Sequence, residues 1–164
     1  MLGLLVALWV APQQGFSQKD PGKTPIGQVS ITVYYATNGD PSAAGERAVA
    51  VTKAVETRLR GEARLNFKHY RILGHEVQPL LRSYENWAQP LRPSDEVLVR
   101  FEASSKPTKD ATHMDLELWL SRKKILKTDA RLSGKVPLFI LGPEWRGGRL
   151  IIAAALAPKE KPGS

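Results

Sequence analysis

The hydrophobic and polar positions of the chain predict one long helix early in the sequence. Between Asp40 and Gly61 the apolar residues recur at steps of three or four, which is the spacing of one helical face. The residues on that face are Ala44, Ala48, Val51, Val55 and Leu59. Asp40 suits the N-cap, Pro41 suits the first turn, and Gly61 suits the position after the last turn. The pattern therefore predicts a helix over residues 41–60.

Most of the remaining chain predicts β-strands, because apolar and polar residues alternate. Residues 96–103 show the alternation most clearly, with Val97, Val99 and Phe101 on one face. Further strands are predicted over 28–36, 65–73, part of 77–87, 112–120, 125–132, 136–141 and 149–157.

Two of these strands flank the predicted helix. Residues 28–36 lead into the helix and residues 65–73 follow it. If the two strands pair, they are expected to be parallel and joined by a right-handed crossover. Gly74 is placed where a bulge or bend can be accommodated.

These elements together predict the α+β class. The 164 residues fit one domain, and a hydrophobic fraction of 42% is enough to build a core. The expected architecture is one long helix over about 41–60, packed on a mostly antiparallel sheet or on a two-layer β-sandwich of seven to eight strands. No period of about 20–50 residues repeats, which argues against a solenoid or a propeller.

The N-terminal residues predict export. Residues 2–11 form an uninterrupted apolar run, shorter than the roughly 20 residues that span a bilayer. The run matches the apolar part of a secretory signal, and Gly15 and Ser17 supply small residues before a cleavage point. The protein is therefore expected in the periplasm or outside a bacterial cell, with no transmembrane span in the mature chain. The predicted organisation is a signal peptide over 1–17, a linker over 18–27, one α+β domain over 28–157 and a disordered tail over 158–164.

Charge and cysteine content narrow the chemistry. Lys and Arg outnumber Asp and Glu by 24 to 16, so the net charge is +8. This charge either favours an anionic partner or serves solubility alone. The chain has no cysteine, which excludes disulfides, thiol catalysis and zinc–thiolate sites.

No catalytic motif or metal-ligand spacing stands out. His69, His75 and His113 are the only histidines, and their spacing matches no standard metal site. Ser121 to Lys124 match the S-x-x-K pattern of serine acylases, but in those enzymes the pattern opens a helix, whereas here it falls in a predicted hairpin turn. The sequence therefore predicts no catalytic residue, no metal and no cofactor, and a protein that is not an enzyme.

Asp115 and Glu117 are two carboxylates on the same side of a predicted strand. Such a pair can divide acid and base roles when its environments differ. Here both residues alternate with apolar residues, so they are expected on the solvent face, opposite Lys124 or Lys127 of the next strand. Cross-strand charge pairing then explains them without catalysis.

A cluster of basic residues surrounds the hairpin predicted between strands 112–120 and 125–132. The cluster comprises Arg122, Lys123, Lys124, Lys127, Arg131 and Lys135. Basic and aromatic residues together can bind single-stranded nucleic acid or a glycan, whereas lysine on an edge strand can also serve only to prevent aggregation. The predicted binding surface consists of Trp119, Arg122, Lys123, Lys124, Lys127, Trp145 and Arg146.

Three short motifs carry a resemblance to a protein family. They are YATN at 35–38, YRILG at 70–74 and LGPEWRGGRLII at 141–152. With these motifs the chain resembles an uncharacterised family of small exported bacterial proteins. The resemblance implies export and a β-rich domain, and it implies no known activity.

Three hypotheses on function follow from the sequence. The first is an exported, non-enzymatic envelope or secreted module that binds another macromolecule, most simply a protein. The alternative is a basic surface that binds an anionic polymer, either nucleic acid or an acidic glycan. The third is an enzyme of a type without a recognisable motif.

Overall fold

The computed structural model describes residues 19–105, 108, 111–134 and 136–157. These residues form nine strands, one α-helix and three short 3-10 turns. The strands are β1 (Pro25–Thr37), β2 (Val49–Ala50), β3 (His69–Leu81), β4 (Asn86–Ala88), β5 (Val97–Ala103), β6 (Ala111–Leu120), β7 (Lys123–Ser133), β8 (Leu138–Trp145) and β9 (Gly148–Leu156). The helix is α1 (Lys53–Gly61), and the 3-10 turns are Pro21–Lys23, Pro41–Ala44 and Ala63–Leu65.

Two antiparallel sheets pack against each other. The five-stranded sheet has the order β2-β3-β1-β9-β8, and the four-stranded sheet has the order β4-β5-β6-β7. Both sheets contribute to one core between them. Its fully buried members include Val29, Ile31, Val33, Val97, Val99, Phe101, Met114, Leu116, Leu118, Leu150 and Ile152. The core is therefore built from the residues that face inward at every second position along the strands of both sheets.

The predicted α+β class is wrong, because the protein is mostly β with one short helix in the described residues. Asp40 does cap Ser42 and Pro41 does open a turn, but that turn is a 3-10 turn of four residues. It ends at Gly45, whose φ of 94° is incompatible with a continuing helix.

The second half of the predicted helix begins again at a new cap. Val49 and Ala50 pair with β3 as strand β2, and the Thr52 hydroxyl then accepts the amide of Val55 to start α1. Val49, Val51 and Thr52 are β-branched, which weakens helix formation over this stretch. The helix over 41–60 is therefore replaced by a turn, a short strand and nine helical residues.

Helix α1 covers the outer face of the five-stranded sheet. Leu59 is fully buried there, together with Leu65 of the following 3-10 turn. The residues that form this second cluster with them are Tyr34, Ala36, Tyr70, Ile151 and Ala153. The molecule therefore has a small outer layer on one sheet, while the outer face of the other sheet carries no helix in the described part of the chain.

Strands β1 and β3 are antiparallel neighbours, so the predicted parallel pairing is wrong. Thr37 lies opposite His69, because the chain between them returns to the same end of the sheet without crossing it. The bulge expected near Gly74 is confirmed, since Val33 faces Gly74 while Tyr34 faces Ile72. A side chain at Gly74 would overlap the carbonyl oxygen of Pro90, which passes over the strand here.

The predicted signal peptide (1–17) and tail (158–164) lie outside the described residues. The described chain starts with the capped turn Pro21–Lys23 and enters β1 at Pro25. Within the described ranges, no helix is long and apolar enough to cross a membrane.

Candidate binding surfaces

The predicted basic hairpin is the two-residue turn that joins β6 and β7. Leu120 pairs with Lys123, and the turn residues Ser121 and Arg122 have φ values of 47° and 66°. Two positive φ values are the geometry of the turn that best fits the twist of a hairpin. This turn leaves the side chains of Arg122 and Lys123 exposed at the tip of the hairpin.

Glu117 organises the outer face of the four-stranded sheet behind that tip. Its carboxylate accepts hydrogen bonds from Trp119 Nε1 at 2.9 Å and from Lys124 Nζ at 3.0 Å. The hydrogen bond from Lys124 and, second to it, that from Trp119 hold the pKa of Glu117 below its usual value. The ammonium of Lys124 also lies 5.4 Å from the centroid of the Trp119 ring. Trp119 and Lys124, two of the predicted binding residues, therefore both contact Glu117 of the same chain.

Glu117 itself differs from the expectation for a solvent-facing carboxylate. Its side chain is buried, with 5% exposure of the residue, because Trp119 and Lys124 fold over it. Of the two expected charge partners, Lys127 lies directly opposite Glu117 in the register, and Lys124 is the one that donates a hydrogen bond to its carboxylate. Asp115, two residues earlier, is half-buried and faces Asp129 across the strand pair.

Arg100 extends the network along the sheet. Its guanidinium lies 3.8 Å from Glu117, 2.8 Å from Glu102 and 2.5 Å from Glu85. Glu85 also accepts Trp87 Nε1, and the ring of Trp87 lies 5.7 Å from that of Trp119.

Strand register shows the charge on this outer face. The cations are Arg100, Lys124, Lys127 and Arg131, and the anions are Glu85, Glu102, Asp115, Glu117 and Asp129. Opposite signs face each other in the row Arg100, Glu117 and Lys127, whereas the row Glu102, Asp115 and Asp129 consists of acids. The face therefore carries both signs of charge and is not a basic plate.

Trp145 and Arg146 belong to the other hairpin, between β8 and β9. Trp145 pairs with Gly148, and Arg146 and Gly147 form the turn with φ values of 47° and 73°. The guanidinium of Arg146 lies 4.2 Å from the centroid of the Trp145 ring. The Tyr35 hydroxyl donates to the carbonyl oxygen of Arg146 at 2.9 Å, and the Tyr35 ring meets Trp145 edge-on.

Glu96 joins the two hairpin tips. Its side chain accepts Trp145 Nε1 at 2.8 Å, and its backbone carbonyl accepts the amide of Ser121 at 2.8 Å. Arg122 lies 3.5 Å from the neighbouring Asp95. The structure therefore brings Arg122, Trp145 and Arg146 to one end of the sandwich, whereas Trp119, Lys124 and Lys127 lie along the outer face of the four-stranded sheet.

A cleft of about 580 Å³ opens at the same end. It lies between the turn that carries Arg146, the segment Ala44–Ala48 and the loop Pro90–Arg92. Arg47, Arg92 and Arg146 line it, as do Glu46 and Glu96. Arg92 is paired with Glu76 at 2.7 Å, so the other charged residues of the lining, two arginines and two glutamates, balance each other.

A surface that the predicted site did not include lies along β8, the last strand of the five-stranded sheet. Leu138, Phe139, Ile140 and Leu141 are uncharged and only half-buried. Val136, just before the strand, is 57% exposed. In the described part of the chain, β8 pairs only with β9, so its other edge carries no partner strand. We call residues Val136–Leu141 the β8 edge.

A groove of about 570 Å³ runs beside the β8 edge on the helix side. Phe139 and Leu141 form its floor, together with Ala63 and Leu65. The charged residues that line it are Arg58, Glu62 and Arg64. The guanidinium of Arg58 lies 5.4 Å from the centroid of the Phe139 ring. The sequence signal for this surface is the absence of charge over residues 136–141, but its position at a sheet edge is visible only in the strand order.

The described residues contain no group of three or more His, Asp or Glu side chains that could hold a metal ion. His75 Nδ1 lies 2.9 Å from the Thr32 hydroxyl, and His69 and His113 are exposed on separate strands. Ser121 of the S-x-x-K pattern lies in the hairpin turn.

Comparisons of the chain with protein-family models, with curated proteins and with solved structures found no match.

Proposed function

We propose that the protein is an exported, non-enzymatic module that binds another protein, and that it does so through the β8 edge. The single observation that carries the proposal is the exposed, uncharged run at an unpaired strand. A sheet edge presents free backbone N–H and C=O groups, and an incoming strand can pair with them. Half-buried apolar side chains beside such an edge add hydrophobic contact area.

The last strand of the four-stranded sheet supports this interpretation. Strand β7 ends the four-stranded sheet and carries exposed charges at Lys123, Lys127, Asp129 and Arg131. Charged side chains on an edge strand discourage pairing with another chain. The absence of charge from the β8 edge, Val136–Leu141, then marks the edge that is left open to a partner.

The test compares one lysine placed on each edge. Val136 and Ile125 are both exposed β-branched residues, at 57% and 43%, on the β8 edge and on β7 respectively. Protein partners are captured from envelope extract with the wild type, with Val136→Lys and with Ile125→Lys. We expect that the wild type and Ile125→Lys retain the same partner protein and that Val136→Lys loses it. Loss of the partner protein from Ile125→Lys alone would indicate a binding site on the β7 edge and would contradict the proposal.

The proposal of export is supported by the apolar run at residues 2–11 and by the resemblance to small exported proteins. Mass spectrometry of the chain isolated from its native cells tests it. The expected mature protein begins at Gln18. A chain that retains Met1 and the apolar run would contradict cleavage.

A second candidate function is the binding of an anionic polymer at the hairpin-tip end. The observation that favours it is the convergence of Arg47, Arg92 and Arg146 on one cleft, beside the exposed Arg122 and Lys123. Such binding predicts retention on heparin or DNA near physiological salt, because each phosphate or sulfate contact releases counterions. Arg47→Glu with Arg146→Glu should abolish the retention. Elution of the wild type at low salt would mean that the retention is only nonspecific attraction between opposite charges, and it would rule this function out.

A further inference from the structure

We infer that the β8 edge accepts an extended peptide segment of another protein in which apolar residues alternate with acidic ones. The segment adds to the five-stranded sheet as a further strand. This inference rests on the proposed function and goes further, because it names the chemistry of the partner.

The structure limits how long the added strand can be. Pro137 precedes the edge and has no backbone N–H to donate. The register of β8 shifts between Leu141 and Glu144, where Pro143 removes a second donor. Regular pairing is therefore available only along Leu138–Leu141. A segment of about the same length fits, which favours a short recognition motif over extended sheet-to-sheet association.

The two faces of the five-stranded sheet offer different surfaces to the side chains of an added strand. Successive side chains of a strand point to opposite faces of its sheet. On the face toward the other sheet, those of the added strand would lie beside Leu138 and Ile140, which are half-buried and pack against the core. That face favours apolar side chains at alternate positions. On the helix side, the remaining side chains would lie beside Phe139 and Leu141, in the groove of about 570 Å³.

The charge of the groove selects acidic residues at the remaining positions. Arg58 and Arg64 are exposed at its rim, and among the described residues neither guanidinium has a carboxylate within ion-pair distance. Glu62 is the single acid that lines the groove. Arg58 already lies on the ring of Phe139, so a carboxylate next to that ring would be in reach of its guanidinium.

The same charges disfavour a second copy of this chain as the occupant. Each chain carries a net charge of +8, and pairing two β8 edges would bring the Arg58 and Arg64 rims together. The β8 edge also has no acidic residue over 136–141 to offer those arginines. Charge complementarity therefore favours an acidic partner.

Two synthetic peptides test the inference with the full-length chain. One alternates valine with glutamate, and the other has lysine in place of each glutamate. Both are capped at their ends, labelled and titrated by fluorescence anisotropy. The glutamate peptide is expected to bind about tenfold more tightly than the lysine peptide, since ion pairs with two partly exposed arginines replace two repulsions.

Matched variants locate the effect. Arg58→Glu with Arg64→Glu is expected to remove the preference for the glutamate peptide or to reverse it. Lys123→Glu with Lys127→Glu changes the net charge by the same amount on the other sheet, and it should leave the preference intact. Val136→Lys should weaken binding of both peptides, whereas Ile125→Lys should not. All four positions of the charge reversals are exposed, so the variants are expected to fold, and circular dichroism checks this.

Three results would overturn the inference. Equal binding of the two peptides, or binding of neither, removes the acidic specificity. Concentration-dependent dimerisation that Val136→Lys abolishes would make a second copy the occupant. If the peptides fail while Val136→Lys still loses a captured protein, the proposed function stands and only the partner chemistry is wrong. If Val136→Lys retains every captured protein, the proposed function fails as well.

Discussion

Strand β7 ends one sheet of the sandwich with charged residues at most of its exposed positions, whereas strand β8 ends the other sheet with the uncharged run Leu138–Leu141. Strand β7 also carries a bulge, because Trp119 pairs with Lys124 while Leu118 pairs with Leu126. Charges and a bulge are two devices that prevent an edge from pairing with another chain. Strand β8 instead has a proline before it and a second proline at its own bulge.

From this difference we infer that a concentration of basic residues need not mark a binding surface. On β7 we expect the lysines and arginines to protect an edge. One of them, Lys124, forms an ion pair with Glu117 of the adjacent strand. On β8 the prolines limit how far an added strand can extend. They leave the four residues Leu138–Leu141 able to pair regularly with it. The charges of β7 can be read from the sequence, whereas the position of β8 at a sheet edge is visible only in the structure.

The first prediction, with the largest effect on stability of the four, concerns Gly148, which begins β9 directly after the hairpin turn from β8. A Cβ at this position would lie 2.6 Å from the carbonyl oxygen of Ala36 and 2.5 Å from the Tyr35 ring. Gly148→Ala is therefore expected to lower the free energy of unfolding by about 1–3 kcal/mol, the usual cost of overpacking. Urea denaturation measures it.

Gly61→Ala is the control for that substitution. Nothing lies within 4 Å of a Cβ at Gly61, in the last turn of α1. The change should be neutral or should stabilise by up to about 1 kcal/mol. A Gly148→Ala variant as stable as the wild type would show that the β8–β9 hairpin does not need its close contact with β1.

The second prediction concerns the charge network behind the β7 edge. The pKa of Glu117 is held below its ordinary value of 4.5, first by the hydrogen bond from Lys124. The unfolded chain therefore takes up this proton at a higher pH than the folded one, so the stability that Glu117 contributes is complete above the ordinary value and is lost as pH falls through the lowered one. Glu117→Gln should reduce the loss of stability below pH 4.5.

Thermal unfolding of the wild type and of Glu117→Gln across this acidic range measures the difference. Asp115→Asn is the matched control, since Asp115 lies on the same strand and face two residues away. It should leave the acid dependence close to that of the wild type. Superimposable pH profiles for the wild type and Glu117→Gln would contradict the account of the network.

The third prediction removes the protection of β7. Lys127→Val with Arg131→Val replaces two exposed cations of this edge by apolar residues. Because both side chains are exposed, the free energy of unfolding should change by no more than about 1 kcal/mol in total. Aggregation at high protein concentration should accelerate, and light scattering follows it. Unchanged aggregation would show that the charges of β7 do not protect it.

The smallest effect on stability is expected when charge is added to the exposed start of the β8 edge. Val136→Lys should change the free energy of unfolding by no more than about 0.5 kcal/mol, because the side chain is 57% exposed. It should also slow any aggregation of the wild type. A loss above about 2 kcal/mol would mean that Val136 is a structural contact and not part of an accessible edge.

Much of the strand pattern could be predicted from the sequence, because alternation is a local signal. The strands expected over 96–103 and 112–120 are confirmed as β5 and β6, with Val97, Val99 and Phe101 buried. The helix over 41–60 could not be predicted correctly from spacing alone. The positive φ of Gly45 and the pairing of β2 with β3 interrupt it, and both depend on tertiary contacts.

The surfaces were less accessible to sequence reasoning than the strands. Trp119 reaches Glu117 along their own strand, but Lys124 reaches it through the β6–β7 register, and that register includes a bulge. Arg122 and Trp145 share one end of the molecule through Glu96, which lies in a different segment of the chain. The β8 edge required the order of strands in the sheet, which alternation does not encode.

Amide hydrogen exchange on the full-length chain shows whether a peptide binds at the β8 edge. The chain is measured alone and with a saturating amount of the valine–glutamate peptide. Exchange is expected to slow in the segment that contains Leu138–Leu141, because the peptide would supply hydrogen-bond partners there. It is expected to stay unchanged in the segment Lys123–Ser133. Slower exchange in β7 with β8 unaffected would contradict this expectation.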